Sequence, residues 1–425
     1  MTYTHFYNAR RLEQSSSETE FWVRNGRFVE PPADTGAVES INLGGELVLP
    51  GLVETHIHLD KSCIMERCRL RQGTLAEAIE QTAAAKRDFS EEDIYRRAQS
   101  VIEKAIVQGT SHMRTHVELD PVIGLKGLRA IQRLQRDYAW AVSLELCVFP
   151  QEGMLNNPGT EGLLITALKS GAEVLGGCPY TDSEPELQIR RLFEIAVEHD
   201  RDLDFHLDFN LDPDSSLLPL VIAQTLEYGW QRRVTVGHVT SLSAMPLKQL
   251  EQTANHLAEA GVSVTALPST DLFLNGRNSE FNIPRGVAPL QRLEERGVCC
   301  SLSTNNLGNP FTPFGDASLI RQANLYANIA QLGTGEGLIK CLNWVSRNSA
   351  QLLRLEGYGL EVGCWADFIT VPACGADQVI SELIAPSCGY KRGRKVFQRS
   401  SAELLAPLVE SGERSSGVLV VENRS

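Results

Sequence analysis

The sequence predicts an α/β protein, a (β/α)8 TIM-type barrel carrying a small β-domain assembled from both chain ends. Three observations predict it. Eight short apolar runs, rich in Val, Leu and Ile, recur with helical patterns between them. At 425 residues the chain is too long for one minimal domain but suits one large barrel with an appendage. The two ends lose this alternation and read as short β-segments with Gly-rich turns.

In order, the runs cover residues 52–58, 111–117, 141–148, 172–177, 203–208, 234–239, 262–267 and 298–304. Each is flanked by polar or Gly/Pro punctuation, the pattern of buried parallel strands. After the first run, Thr74 and Glu77 form a capping box ahead of an amphipathic stretch. Ser90, followed by Glu91, Glu92 and Asp93, opens a helix that ends near Gly109. Helical patterns return over 186–198, 213–228, 245–260 and 286–296. Periodicity alone leaves a doubly wound open sheet as the alternative. Near the N-terminus, residues 21–24 and 47–49 read as β, and after Gly357 so do 368–371 and 418–421. Neither end can bury a core alone. Residues 1–50 and 357–425 are therefore expected to form one composite β-domain beside a barrel of 51–356. Ser15, Ser16 and Ser17 read as loop, and the tail after Leu405 as less ordered.

Composition narrows the class. Hydrophobic residues make up 42% and charged residues 22%, ordinary values for a globular enzyme. The longest apolar runs fall short of a membrane span, and the first residues lack the basic-then-apolar order of a secretory leader. A cytoplasmic location is expected. A net charge of −13 argues against nucleic acid or an anionic membrane as partner and leaves a small-molecule substrate. The ten cysteines are scattered with no Cys-x-x-Cys pair, so no zinc ribbon or thioredoxin-like site is encoded. Nucleotide-binding glycine loops and the Gly-x-Ser-x-Gly elbow are missing too. Barrels of this kind often associate as homo-oligomers, but no feature of the sequence fixes a number.

Four of the nine histidines lie at the C-terminal ends of the expected strands. His56 and His58 are two residues apart and project from one face of the first strand. His206 ends the fifth strand and His238 the sixth. That rim is where a barrel gathers catalytic groups from separate strands. Two imidazoles from one strand and a third from across the barrel leave a coordination position for water on Zn2+ or Fe2+. Such a metal lowers the pKa of its water and supplies hydroxide as nucleophile at neutral pH. A single buried histidine is more often a hydrogen-bonded core residue, which is the plain reading of His112 and His116 on the second strand. His5, His199 and His256 read as surface residues.

The segment Leu49-Pro-Gly-Leu-Val-Glu-Thr-His-Ile-His-Leu-Asp-Lys61 resembles the first-strand signature of the amidohydrolase superfamily. Its Leu-Asp-Lys ending is similar to that of N-isopropylammelide hydrolases. Arg114-Thr-His-Val117, Phe149-Pro-Gln-Glu-Gly153, Gly176-Gly177, Leu274-Asn-Gly-Arg277 and Asn309-Pro-Phe-Thr-Pro-Phe-Gly315 resemble the later strands and loops of bacterial cytosine deaminases. Gly359-Leu-Glu-Val-Gly363 with Ala366-Asp-Phe-Ile369 looks like the returning β-domain strand, so the likeness runs from about residue 40 to 375. The resemblance implies one divalent metal, Zn2+ or Fe2+, on His56, His58 and His206, with His238 holding hydroxide or substrate. It implies that Gln151 contacts the amide-like edge of a nitrogen heterocycle; its plain alternative is a solvated loop residue. Lys61 reads equally as a substrate-facing cation or a surface residue.

Two positions depart from that pattern. The family places a metal-binding, proton-shuttling aspartate just after the eighth strand, where this chain has Asn305. Asparagine offers a carbonyl oxygen but cannot accept the proton. Cytosine deaminases carry a glutamate three residues after the fifth-strand histidine, where Phe209 stands here. Asp208 is then the candidate for proton transfer, because strand alternation puts it on the side of His206; its alternative is to cap the following loop. The expected function is metal-dependent hydrolysis of a C–N bond, as a deaminase or amidohydrolase, in a small nitrogen heterocycle or cyclic amide. The alternatives are a divergent paralogue that binds metal and ligand with little or no hydrolysis, and a metal-free structural relative.

Overall fold

A computed structural model describes residues 3–11, 19–33 and 38–402. The expected β-segment at 418–421, the serine loop at 15–17 and the tail after Leu405 lie outside the described residues. The chain begins with β1 (Tyr3–Ala9), β2 (Thr19–Arg24), β3 (Arg27–Val29) and β4 (Val38–Asn42), hydrogen-bonded in the order β3-β2-β1-β4. β5 (Leu47–Pro50) leads through Gly51 directly into the barrel.

The eight apolar runs become eight parallel strands: β6 (Leu52–Ile57), β7 (Thr110–Glu118), β8 (Ser143–Phe149), β9 (Val174–Gly177), β10 (Asp202–Leu207), β11 (Val234–His238), β12 (Val262–Ala266) and β13 (Cys300–Leu302). Their spatial order follows the chain from β6 to β13 without reversal, which removes the doubly wound alternative. The seam between first and last strands is closed at the rim. There Ile57 bridges Asn305, His58 N–H donates to the Asn305 carbonyl at 2.8 Å, and Asn305 N–H donates to that of His56 at 2.9 Å. Asn305 is thus held by the same backbone that carries the first two histidines.

Helices between the strands bury one face each on the barrel. Ser90 caps the helix Glu91–Val107, which turns Ile94, Ala98, Val101, Ile102 and Ala105 inward. Thr74 caps Leu75–Lys86, but the capping box is only half made. The Glu77 carboxylate accepts from Arg71, Gln72 and Gly73 N–H instead of turning back to Thr74, and so ties down the loop before the helix. The helix expected over 286–296 is shorter, Leu290–Glu294, and that over 213–228 splits into a 3-10 turn, Pro213–Ser215, and Leu218–Glu227.

After the barrel, β14 (Phe368–Val371), β15 (Cys388–Lys391) and β16 (Arg394–Gln398) add to β5 in the order β16-β15-β14-β5. Phe6, Phe21 and Phe28 from the N-terminal sheet pack with Phe368 and Tyr390 from the C-terminal one in a common core. Both ends of the chain therefore build one small β-unit against the barrel. Among the described residues no helix is long and apolar enough to cross a membrane.

Candidate metal centre and active site

β6 carries His56 next to its last residue, Ile57, and His58 follows the strand; β10 carries His206 and β11 ends on His238. These side chains meet. His206 Nε2 lies 3.1 Å from His56 Nε2 and 3.0 Å from His58 Nε2. Donor atoms of His56, His206 and His238 all fall within 4.8 Å of one another, and His58 joins the group through His206. Burial holds His56, His58 and His206 far below the usual histidine range, reinforced by neighbouring imidazoles, His116 and His238 among them, and, for His58 and His206, by Lys61. Neutral imidazoles with clustered lone pairs are what a cation requires.

The donor set fits a metal on a second count. Nitrogens sharing a tetrahedral ion at about 2.0–2.1 Å lie roughly 3.3 Å apart, close to the spacing here. The Nδ1 atoms of His56, His58 and His206 and the Oδ1 of Asn305 are buried without hydrogen-bond partners. The three Nδ1 atoms lie on the far side of rings whose Nε2 atoms converge, whereas Asn305 lines the pocket itself, and the desolvation cost of its unpartnered oxygen is one that a ligand there would offset. The residues present can hold a divalent metal.

Support comes from β7 and β10. His116 stacks on His56 with ring centroids 3.7 Å apart, and its Nε2 lies 3.4 Å from Asp204 Oδ1. Asp204 also pairs with Arg114 at 2.9 Å and stands 3.9 Å from His56 Nδ1. His116 is therefore a wall behind a candidate ligand. His112, at the other end of β7, faces Lys391 and Asp367 instead.

His238 Nδ1 is 2.6 Å from Asp271 Oδ1, both fully inside the protein, and Asp271 Oδ2 accepts Leu267 N–H at 3.0 Å. Burial pushes the Asp271 carboxyl up, and His238 opposes that. Sequence reasoning missed Asp271. It lies 33 residues from His238 in a helix after β12, and no local spacing links them.

Asp208 does not join the cluster, which corrects the proton-transfer role expected for it. β10 stops at Leu207, and Asp208 takes a left-handed backbone with φ 49°, so strand alternation no longer sets its direction. Its carboxylate accepts Ser216 Oγ–H at 2.5 Å and Leu217 N–H at 3.0 Å, bracing the entry to the helix Leu218–Glu227. Burial raises its pKa and the Ser216 contact opposes the rise.

Lys61 and Gln151 both line the pocket above the histidines, together with Asn305, Asn306, Phe209 and Phe311. The surface reading of Lys61 fails, for its side chain is only 2% exposed. Its ammonium donates to Glu118 and to Gln151 Oε1, each at 2.6 Å. Burial pushes Glu118 up, but Lys61 and Lys86 outweigh it and hold the carboxyl at about 2. Gln151 is likewise buried, not solvated. Phe209 sets its ring edge-on to His238, centroids 4.5 Å apart, so an apolar wall stands where the resemblance would place a glutamate.

A parallel barrel with this histidine cluster on its C-terminal rim defines a hydrolase of the metal-assisted type. Residues 98–394 match the model described as "Amidohydrolase family", and the chain belongs to that family. It is a hydrolase of C–N bonds. The chain is 25% identical to N-isopropylammelide isopropyl amidohydrolase of Pseudomonas sp. (strain ADP), over 91% of this chain and 95% of that one. It is 26% identical to a pterin deaminase of Rhizobium rhizogenes (strain K84 / ATCC BAA-868), over 87% and 85%. In structure it resembles 5-methylcytosine deaminase from Klebsiella pneumoniae liganded with 5-fluorocytosine, with a TM-score of 0.88 and 25% identity, covering 95% and 99% of the two chains.

Proposed function

We propose that this protein hydrolyses an exocyclic or ring C–N bond of a small nitrogen heterocycle, with His56, His58 and His206 holding one Zn2+ or Fe2+. The observation that carries this reading is the meeting of three neutral imidazoles at 3.0 and 3.1 Å, with His238 facing them from the next strand. Imidazole donors suit zinc and iron, and the ion would supply Lewis acidity and acidify a water at neutral pH.

The chain's own residues do the proton work. The 2.6 Å contact with Asp271 places the Nδ1 proton of His238 on the carboxylate side and leaves Nε2 as the basic nitrogen facing the cluster. His238 Nε2 takes a proton from the attacking water and returns it to the departing amine or ammonia. Asp271 keeps the ring in that tautomer and orientation. Asn305 turns an unpaired carbonyl oxygen toward the same space without removing a proton. With Phe209 and Asn305 in place of acids, the circuit contracts onto the His238–Asp271 pair.

Metal analysis and turnover test this together. Protein as purified should hold close to one zinc or iron per chain, and a panel of pyrimidines, triazines and cyclic ureas should yield ammonia or amine. His206→Ala should lose both metal and turnover. Metal without release of any amine would instead support the divergent binding protein, and His206→Ala retaining full metal would end the assignment of the ligands.

A further inference from the structure

One buried carboxylate near the histidines has an oxygen to spare. Asp271 holds His238 and Leu267 N–H, Asp208 holds Ser216 and Leu217 N–H, and Glu118 holds Lys61 and Lys86. Both oxygens of Glu54 accept Thr304 N–H, at 3.0 and 3.2 Å. Asp204 Oδ2 accepts from Arg114 at 2.9 Å. Its Oδ1 is, among the described residues, the one carboxylate oxygen buried without a hydrogen-bond partner. That oxygen lies 3.4 Å from His116 Nε2 and 3.9 Å from His56 Nδ1, and neither nitrogen has a partner either. The His56 and His116 rings are stacked 3.7 Å apart and only 23° from parallel. Rings so placed cannot both aim in-plane lone pairs at one ion, so this trio is a hydrogen-bonding cluster and not a second metal site.

From this geometry we infer that Asp204 is the positioning residue of the metal centre, its Oδ1 accepting the Nδ1 proton of His56. A neutral imidazole carries one N–H, and fixing it on Nδ1 leaves the lone pair on Nε2, the nitrogen that meets His206. A ligating histidine commonly gives its other N–H to a carboxylate, which sets the ring's orientation and strengthens it as a donor. Closing 3.9 Å to a hydrogen bond takes roughly 1 Å, and nothing else holds that oxygen. Arg114 anchors the other oxygen and is itself anchored by Glu145 at 2.6 Å. Asp204 thus also brings a negative charge behind His56, in a site where Asn305 has none to give. The inference rests on the reading of His56 as a ligand and adds what orients it.

Zinc titrated into metal-stripped protein against a competing chelator tests this. In Asp204→Asn the guanidinium of Arg114 keeps the amide oxygen and turns the NH2 group toward His56, donor against donor. Zinc affinity should fall roughly 10–100-fold. Glu145→Gln is the control, since it breaks the same ion-pair network at its partly exposed end, away from His56. It should lower the melting temperature and leave zinc affinity unchanged. With cobalt in place of zinc, Asp204→Asn should shift the visible absorption bands that report ligand orientation, and Glu145→Gln should not. Should Asp204→Asn fail to fold, Arg114→Gln/Asp204→Asn removes both buried charges and should show the same loss of zinc. Zinc held as tightly in the folded Asp204 variant as in the starting protein, or lost equally in Glu145→Gln, would overturn the inference while the ligand reading stands. A starting protein that binds no zinc would overturn both, and that is seen before any variant is compared.

Discussion

Asp271 and Asp208 are buried carboxylates near the rim, and what their oxygens hold separates their roles. Asp271 spends one oxygen on His238 and the other on a backbone N–H. Asp208 spends both on the start of a helix. Asp271→Asn should therefore lower kcat by roughly 10²–10⁴, the range general acid–base groups supply, flatten the pH–rate profile and spare the metal. Asp208→Ala should cost about 0.5–2 kcal/mol of stability as a lost cap and leave kcat within a few-fold. The reverse pattern, with turnover lost only in Asp208→Ala, would return the proton step to Asp208. Steady-state kinetics and thermal melts on the two variants decide it. Protonation gives a second residue-scale expectation. His56, His58 and His206 have depressed pKa values when folded, so the unfolded chain binds more protons on acidification. Their contribution is whole above the unfolded value of about 6.5 and is lost as pH falls. Glu54, raised to about 7 by burial, acts in the opposite sense: its contribution is full below about 4.5 and disappears as pH rises through 7. His112 and His116 act with these histidines, and Asp60, Glu173, Asp208 and Asp271 act with Glu54, so the imidazole contribution is read by difference. Chelator-treated His206→Ala should lose less melting temperature from pH 7 to 5 than chelator-treated starting protein, and an equal or larger loss would show that His206 is not buried neutral.

At the scale of elements, the strands were legible and their last residues were not. Apolar runs bounded by punctuation mark β6 to β13 because parallel strands buried on both faces must be continuously apolar. Four histidines at run ends were legible for the same reason: a polar group closing an apolar run has to face the rim. What the pattern hid was the turn out of each strand. His238, Asp208 and Asn305 all have positive φ, at 69°, 49° and 64°, and this left-handed backbone aims their side chains where alternation would not. His238 and Asn305 are turned into the pocket and Asp208 out of it. Long-range partners such as Asp271 and the Lys61–Glu118 pair, 57 residues apart, leave no mark in local spacing. Close approach is the other hidden feature. A Cβ on Gly237 of β11 would stand 3.2 Å from the Cε1 and Nδ1 of His56, inside comfortable contact. Gly237→Ala should push that ring by a few tenths of an ångström, weaken metal retention, and cost on the order of 1–3 kcal/mol by overpacking. Competition against a chelator reads the first effect and a denaturant melt the second. Unchanged metal affinity would mean that the His56 ring has room the geometry does not show.

Over the whole molecule, the small β-unit is locked to the end of the barrel away from the metal centre. Lys391 of β15 donates to Asp367 Oδ2 at 2.7 Å and to the carbonyl of Ser111, at the start of β7, at 3.0 Å. Asp367 in turn accepts Arg392 N–H at 2.6 Å, and its own carbonyl accepts Gly51 N–H at 3.0 Å, where the chain passes from β5 into β6. One buried ion pair thus touches the C-terminal sheet, the N-terminal strand and the barrel. Its net worth over an apolar substitute is small, but breaking it leaves a charge stranded in the interior, at about 3–5 kcal/mol. Lys391→Met should accordingly lower the melting temperature by several degrees, with barrel and β-unit still unfolding in one transition because β5 runs without a linker into β6. Lys391→Met/Asp367→Asn should recover much of the loss, since the remaining amide oxygen still accepts Arg392 N–H and carries no charge. Metal content and turnover should stay at the starting level in both, because His56, His58, His206 and His238 sit at the opposite ends of the strands. A calorimetric scan of the three proteins beside metal analysis measures all of this. If Lys391→Met sheds metal before it melts, the two ends of the barrel are coupled and the separation of stability from site is wrong.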